Sequence, residues 1–459
     1  MGVPSSCLRF RFASGPGDGT FPEMKRSLLA ILFFSSFWLL QPALAAPTVV
    51  VKTDRPEALY QPNEEVTFTI TAQEGGQPVD SGAISWSLSL DGYKILSTGT
   101  GTVAKGSLEK PGFLLLTATC SLTGEKPIIA FGGAGVSPAS LQPSLPVPDD
   151  FDQFWKDQKA KLAAIPMTIT SNPAVIPTKT DANLEAFDIQ ISTGDASAPV
   201  SGYLAAPKNA LPKSLPAVLW VHGAGVRSSS LAAALSGARD GFLSLYINAH
   251  GIPNGKPEAF YKELANGKLK TYRSDGNQSR DTIYFRGMFL RLVRALDYLT
   301  KRPEWDGKTL AVIGHSQGGY QALVAGGLDP RVTFIGAGVA AGCDHSGMKA
   351  DRISGWPKIV PILPDGSPDP LALEASRYFD AVNFATRCKA QAIMSVGFID
   401  RTCPPTSVYT AYNVLQGPKE MIHSPTLGHT TTTEISGAFR KALLSHIAAK
   451  SLAPAALVN

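Results

Sequence analysis

From Leu184 onward the chain alternates short apolar runs with segments of helical period, and this alternation narrows its possible folds more than any other feature. LEAFDIQIS and APVSGYLAAP read as an antiparallel pair, while PAVLWVHG, FLSLYINAHG, TLAVIGHS, TFIGAGVAAG, QAIMSVGFID and KEMIHSP read as buried strands. Stretches such as MFLRLVRALDYLTKR supply helices between them. Continuous apolar strands need cover on both faces, so the pattern predicts an α/β fold with a mostly parallel, eight-stranded sheet flanked by helices. In such sheets ligands bind beyond the carboxyl ends of the strands.

One of those ends carries GHSQGGYQA, Gly314 to Ala322, directly after TLAVI. A serine between glycines at a strand-to-helix turn fits the G-x-S-x-G elbow, which lifts the Ser316 hydroxyl clear of the sheet. A nucleophilic serine needs a base, and the base needs an orienting acid. In the α/β-hydrolase order, acid and then histidine follow the serine, which leaves His423, His429 and His446. His423 falls inside the last strand and His446 inside the terminal helix. His429 follows Gly428 in a loop and is the expected base. Asp400 closes the strand QAIMSVGFID and is the expected acid, with Asp380 as its rival.

An oxyanion needs preorganised N–H donors. Gln317, at the start of the next helix, supplies one, and Ala224 in the HGAG turn after PAVLWV supplies the other; His222 is read as an organiser of that turn. The CDHSG turn ends another strand, so Asp344 and His345 are read as substrate-binding groups suited to sugar hydroxyls.

The chain of 459 residues has room for more than one domain. From Met24, the expected translation start, MKRSLLAILFFSSFWLLQPALAAP has a basic start, an apolar run and an A-x-A site at Ala43 and Ala45. That is a secretory signal, so residues 1–45 are read as a leader, the mature chain as secreted or periplasmic, and stable membrane insertion as excluded after cleavage. Residues 46–136 alternate in strands such as EVTFTITA and ISWSLSL and predict an all-β, immunoglobulin-like sandwich. A proline-spaced linker over 137–147 then leads to a catalytic domain over 148–459. The helix after it presents Phe151, Phe154 and Trp155 as a packing stripe, with Asp149 as N-cap. No candidate catalytic residue precedes the linker, so a chain starting near Pro146 is expected to fold and work alone.

A net charge of +5 without a basic block excludes nucleic acid as an implied partner. Cys120, Cys343, Cys388 and Cys403 follow the leader with no zinc spacing, so no metal site is expected, and their pairing is open.

The run RDTIYFRGMFLRLVRALDYLTKRPEWDGKTLAVIGHSQGG, with PDDFDQFW before it and FIDRTCPPTSVYTAYNVLQGPKEMIHSPTLGH after it, resembles the acetyl xylan esterase/cephalosporin C deacetylase family over roughly residues 146–449. The resemblance implies an α/β-hydrolase fold with Ser316, Asp400 and His429 as catalytic residues. It also implies an acetylated carbohydrate as substrate and no cofactor. Two motifs depart from the family pattern: His250-Gly251-Ile252 stands where R-G-Q is usual, and Thr430 follows His429 where Glu is usual. The family's oligomer contacts are tied to those motifs, and an oligomer stays possible. A broader carboxylesterase or peptidase would share the same residues, and a non-catalytic carbohydrate-binding protein is the alternative of a different class.

Overall fold

The computed structural model of the chain describes residues 46–122, 124–194 and 198–452. The leader, with Met24, Ala43 and Ala45, lies outside the described residues. Among those described, no helix is long and apolar enough to cross a membrane.

Nine strands come first: β1 (Thr48–Thr53), β2 (Leu59–Tyr60), β3 (Val66–Glu74), β4 (Gln77–Pro78), β5 (Ile84–Leu90), β6 (Lys94–Thr100), β7 (Val103–Gly106), β8 (Gly112–Cys120) and β9 (Ile128–Val136). One sheet runs β1-β3-β4 with β7 also on β3, and a second runs β2-β9-β8-β5-β6. Alternation along β3 buries Val66, Phe68 and Ile70. They meet Leu88, Leu114 and Leu116 of the other sheet in one apolar cluster.

Helix α1 (Phe151–Ala163) follows, then β10 (Ile169–Pro173), β11 (Leu184–Ile191), β12 (Val200–Pro207), β13 (Leu215–Val221), α2 (Leu231–Arg239) and β14 (Leu243–Ile247). Next come α3 (Glu258–Asn266), α4 (Tyr284–Lys301), β15 (Trp305–His315), α5 (Gln317–Leu328) and β16 (Phe334–Gly338). The chain continues with α6 (Pro370–Ser376), α7 (Ala381–Ala385), β17 (Gln391–Gly397), α8 (Pro405–Val414), β18 (Lys419–Ser424) and α9 (Thr433–Leu452).

These strands form one sheet of nine, in the order β10-β11-β12-β14-β13-β15-β16-β17-β18. The eight expected strands are all present, and β10 is added at the edge. Its ITSNP sequence is exposed throughout, with neither an apolar run nor alternation to announce it. Strands β14 through β18 pair in parallel. β13 pairs with β14 on one side and β15 on the other, so the order of strands reverses there. The loops after β13 and β15 flank that switch point, where a crevice opens in sheets of this kind.

Successive residues of β15 face opposite ways. Val312 joins α4 and α5 residues such as Phe289, Leu292 and Leu323, whereas Ala311 and Ile313 pack on Phe439 and Leu443 of α9. The stripe on α1 is buried as expected, and the Trp155 indole N–H donates to the Tyr378 carbonyl at 2.9 Å. The N-cap position is Asp150 rather than Asp149, and it caps nothing with its side chain, which pairs instead with Arg280 at 2.6 Å.

The strands upstream of the linker share a core with the larger sheet. Phe113 of β8 meets Phe398 edge-on at 5.0 Å and Tyr409 at 5.6 Å. A Cβ on Gly133 would lie 2.6 Å from the Phe398 carbonyl oxygen. The linker is bonded too: the Asn413 amide donates to the Pro138 and Leu141 carbonyls at 2.9 Å each. These contacts oppose the expectation that the catalytic part stands alone. The four cysteines among the described residues are all buried and unpaired.

Candidate active site

Ser316 sits between β15 and α5 with φ 59° and ψ −121°, a backbone region that non-glycine residues rarely occupy. Such strain costs roughly 1–3 kcal/mol and persists where neighbours enforce it. Here the Ser316 N–H donates to the Gly338 carbonyl at 2.8 Å, and the Ser316 carbonyl accepts from Ala341 at 3.1 Å. The flanking glycines have a packing reason. A Cβ on Gly314 would come within 2.5 Å of the Val221 carbonyl oxygen, and one on Gly318 within 2.3 Å.

The Ser316 Oγ lies 2.8 Å from His429 Nε2. His429 Nδ1 lies 2.7 Å from Asp400 Oδ2. The other carboxylate oxygen, Oδ1, accepts the Thr402 and Cys403 N–H groups at 2.8 and 2.9 Å. Asp400 is wholly buried at its side chain, whereas 26% of the His429 side chain is exposed. A buried carboxylate facing Nδ1 fixes the tautomer that leaves an Nε2 lone pair toward the serine. The arrangement is equipped to move a proton off Ser316.

The rivals are engaged elsewhere. His423 bonds the Tyr409 hydroxyl, and His446 bonds Gln391 and Thr333. Asp380 accepts the backbone N–H groups of Asp344, His345 and Val382.

The Gln317 side chain turns into the protein, where its Oε1 accepts from the Tyr272 hydroxyl at 2.9 Å. Among the described residues, neither the Gln317 nor the Ala224 N–H donates to a protein acceptor. Gly223, beside Ala224, approaches Ser316: a Cβ on it would stand 3.5 Å from that of the serine. His222 is buried, and burial, reinforced by Arg227, pushes its pKa down to about 4. Its neutral ring accepts the Ala249 N–H at Nε2 and so donates from Nδ1 to the Gly223 carbonyl. His222 therefore organises the HGAG turn.

Asp344 and His345 do not line a sugar site. Each is only 2% exposed. Asp344 accepts from the Ser144 N–H at 3.0 Å, the Ser144 hydroxyl at 2.7 Å and Arg352 at 3.2 Å, fastening the linker to the turn. His345 packs edge-on against Tyr320. A strand end looked like a pocket loop in sequence, but the linker covers it.

Burial alone lowers the His345 pKa to about 3. An unfolded imidazole protonates near ~6.5 and the folded one does not, so between those values the unfolded state holds the extra proton. Stability contributed by neutral His345 is thus complete above pH ~6.5 and is lost as the pH falls toward 3. His345→Asn is expected to flatten the dependence of the urea midpoint on pH across this window by about one proton. It is also expected to leave KM for acetylated xylo-oligosaccharides and for aryl acetates shifted alike; a selective rise for the saccharide would restore a binding role.

Tyr272 and Thr431 carry no mark in the sequence, because each lies in a polar loop without a motif. The Thr431 hydroxyl lies 3.0 Å from His315 Nδ1, tying the His429 loop to the residue before Ser316. Thr431→Val removes a bond worth ~1 kcal/mol, and is expected to lower kcat several-fold with little change in KM. Steady-state kinetics on an aryl acetate check this. At the departure from R-G-Q, His250 is buried and bonds the Tyr284 hydroxyl, while Arg291 reaches from α4 to the Ala249 carbonyl at 2.8 Å.

Asp400, Cys403 and His429 bring one potential metal ligand each within 4.8 Å. Burial, with Asp400 beside it, raises the Cys403 thiol well above its ordinary pKa. A protonated thiol and a carboxylate already taken up by three hydrogen bonds suit a triad better than a cation.

The family model described as acetyl xylan esterase (AXE1) matches residues 139–443. The acetyl esterase Axe7A of Xylanibacter ruminicola is 33% identical over 346 residues, covering 75% of this chain and 76% of that protein. The structure is similar to an acetyl xylan esterase from a Paenibacillus species, with TM-score 0.58 and 27% identity over 67% of this chain and 98% of the other. It also resembles acetyl xylan esterase 1 from a Thermoanaerobacterium species, with TM-score 0.55 and 20% identity over 67% and 97%, a likeness of fold. A matched span of this length, enclosing all of Ser316, Asp400 and His429, places the chain in the acetyl xylan esterase family, as a carboxylic ester hydrolase of α/β-hydrolase fold.

Proposed function

We propose that this chain is an exported serine esterase that removes acetyl groups from xylan or xylo-oligosaccharides. The observation carrying the reading is the unbroken hydrogen-bond chain from Ser316 through His429 to Asp400 at the carboxyl edge of the sheet. Export rests on the leader pattern ending at Ala45. The substrate class rests on what the similar proteins are named for.

In this mechanism His429 Nε2 takes the Ser316 proton as Oγ bonds the acetyl carbonyl carbon. The N–H groups of Gln317 and Ala224 hold the oxyanion. His429 returns the proton to the departing sugar oxygen, and the acetyl group remains on Ser316. Water then gives its proton to the same imidazole and attacks the ester. Acetate leaves, and the serine recovers its proton.

A panel of acetylated xylan, aryl esters of rising chain length and peptide anilides tests the reading. Release of acetate from xylan, with rates falling steeply beyond short acyl chains, is expected. Preference for long acyl esters or for anilides would overturn it.

A further inference from the structure

We infer that a cationic pocket beside the triad takes the carboxylate of an acidic sugar, so that the preferred substrate is an acetylated xylan segment bearing a uronic acid side group. This rests on the deacetylase reading above and narrows it. The pocket has a volume of about 480 Å³, and Arg273, Lys358 and Arg401 line it together with Ser274, Trp356 and Thr402. No acidic residue lines it. Among the described residues, none of the three cations pairs with a carboxylate, whereas nine of the fifteen arginines do. All three are exposed.

Like charges gathered without counterions repel one another, and they are retained at no loss where an anion visits. Trp356, half-buried at the wall, offers the apolar face on which a sugar ring packs. Ser274 and Thr402 add hydroxyls for its polar edge. A carboxylate on a pyranose ring matches this combination, because a guanidinium holds it by two parallel hydrogen bonds while the ring lies on the indole.

The pocket is wired to both ends of the triad. Arg401 and Thr402 directly follow Asp400, and the Thr402 N–H is itself a donor to that carboxylate. The Trp356 backbone N–H donates to the Thr402 carbonyl at 2.7 Å. Arg273 follows Tyr272, whose hydroxyl holds the side chain of Gln317, the neighbour of Ser316. The Tyr272 and Trp356 rings lie 6.4 Å apart, joining the two walls. A sugar bound here therefore rests on the loop that carries Asp400 and beside the tyrosine that holds Gln317.

The test uses an acetylated xylo-oligosaccharide with a uronic acid branch and the same compound with that acid masked as its methyl ester, so that shape is kept and charge removed. The free acid is expected to show a kcat/KM about tenfold higher, mostly through KM, with the advantage shrinking as salt rises. In the triple variant Arg273→Gln, Lys358→Gln, Arg401→Gln the ratio of acid to ester is expected to fall to about one. Equal rates for acid and ester in the natural chain, or a ratio that survives the triple substitution, would overturn the inference. Equilibrium binding of the deacetylated acid branch, followed by tryptophan fluorescence, reads the pocket without turnover. If neither compound is hydrolysed, the deacetylase reading fails, and the binding measurement alone decides: loss in the triple variant supports the pocket, and absence of binding in the natural chain overturns it.

Discussion

His429→Ala is expected to lower kcat/KM for an aryl acetate by on the order of 10³-fold or more, and Ser316→Ala/His429→Ala to lose no more than the single change. In the proposed mechanism both groups act on one proton, so once the chain from Ser316 to Asp400 is broken, removing a second member costs little. Asp400→Asn is a subtler case. The amide oxygen still accepts from Thr402 and Cys403, but the NH2 then faces His429 Nδ1. That enforces the tautomer with its proton on Nε2, where no lone pair is left for the serine, and a loss of ~10⁴-fold is expected. Asp380→Asn is the control. It serves the backbone of the CDHSG turn, so its cost is expected in the urea midpoint rather than in kcat. A crippled Asp380→Asn beside a mild Asp400→Asn would reassign the acid.

Gly133→Val is expected to lower activity by on the order of 10²-fold while the chain stays folded, although Gly133 lies in the upstream β strands. The added side chain collides with the Phe398 backbone, two residues before Asp400. Over-packing costs about 1–3 kcal/mol, and displacement of the Phe398 to Cys403 loop relieves it, carrying the acid away from His429. A chain starting near Pro146 goes further, because it exposes Phe398 and Tyr409, which now pack on Phe113. Circular dichroism and aryl acetate kinetics on both chains check this. Full activity in the shortened chain would show that the upstream sheets are dispensable.

The triad was legible because its signals are local. A serine between glycines after an apolar run, an aspartate at a strand end and a histidine in a loop each stand out from what packing alone would ask of those positions. Chain order left three histidines, the placement of His423 in a strand and of His446 in a helix set those two aside, and the structure finds them bonded to Tyr409 and Gln391 rather than to Ser316. What stayed hidden depends on contacts between segments distant in the chain. Asp344 and His345 occupy a strand end, yet Ser144, two hundred residues earlier, closes over them. Tyr272 reaches Gln317 from a loop with no motif, and β10 is an exposed edge strand with nothing in its sequence to mark it. The contacts that argue against an independent catalytic part are hidden for the same reason. The alternation of the upstream strands is plain, but Phe113 contributes to the neighbouring core, and no periodicity shows which core a residue joins.

The most direct test of the account is to label the folded protein with a serine-directed phosphonate and map the modified peptide. One label is expected, on Ser316, with activity lost in proportion, protection by an acetylated xylo-oligosaccharide, and slow labelling in His429→Ala. A label on another residue with the same loss of activity, or full activity after Ser316 is modified, would contradict it.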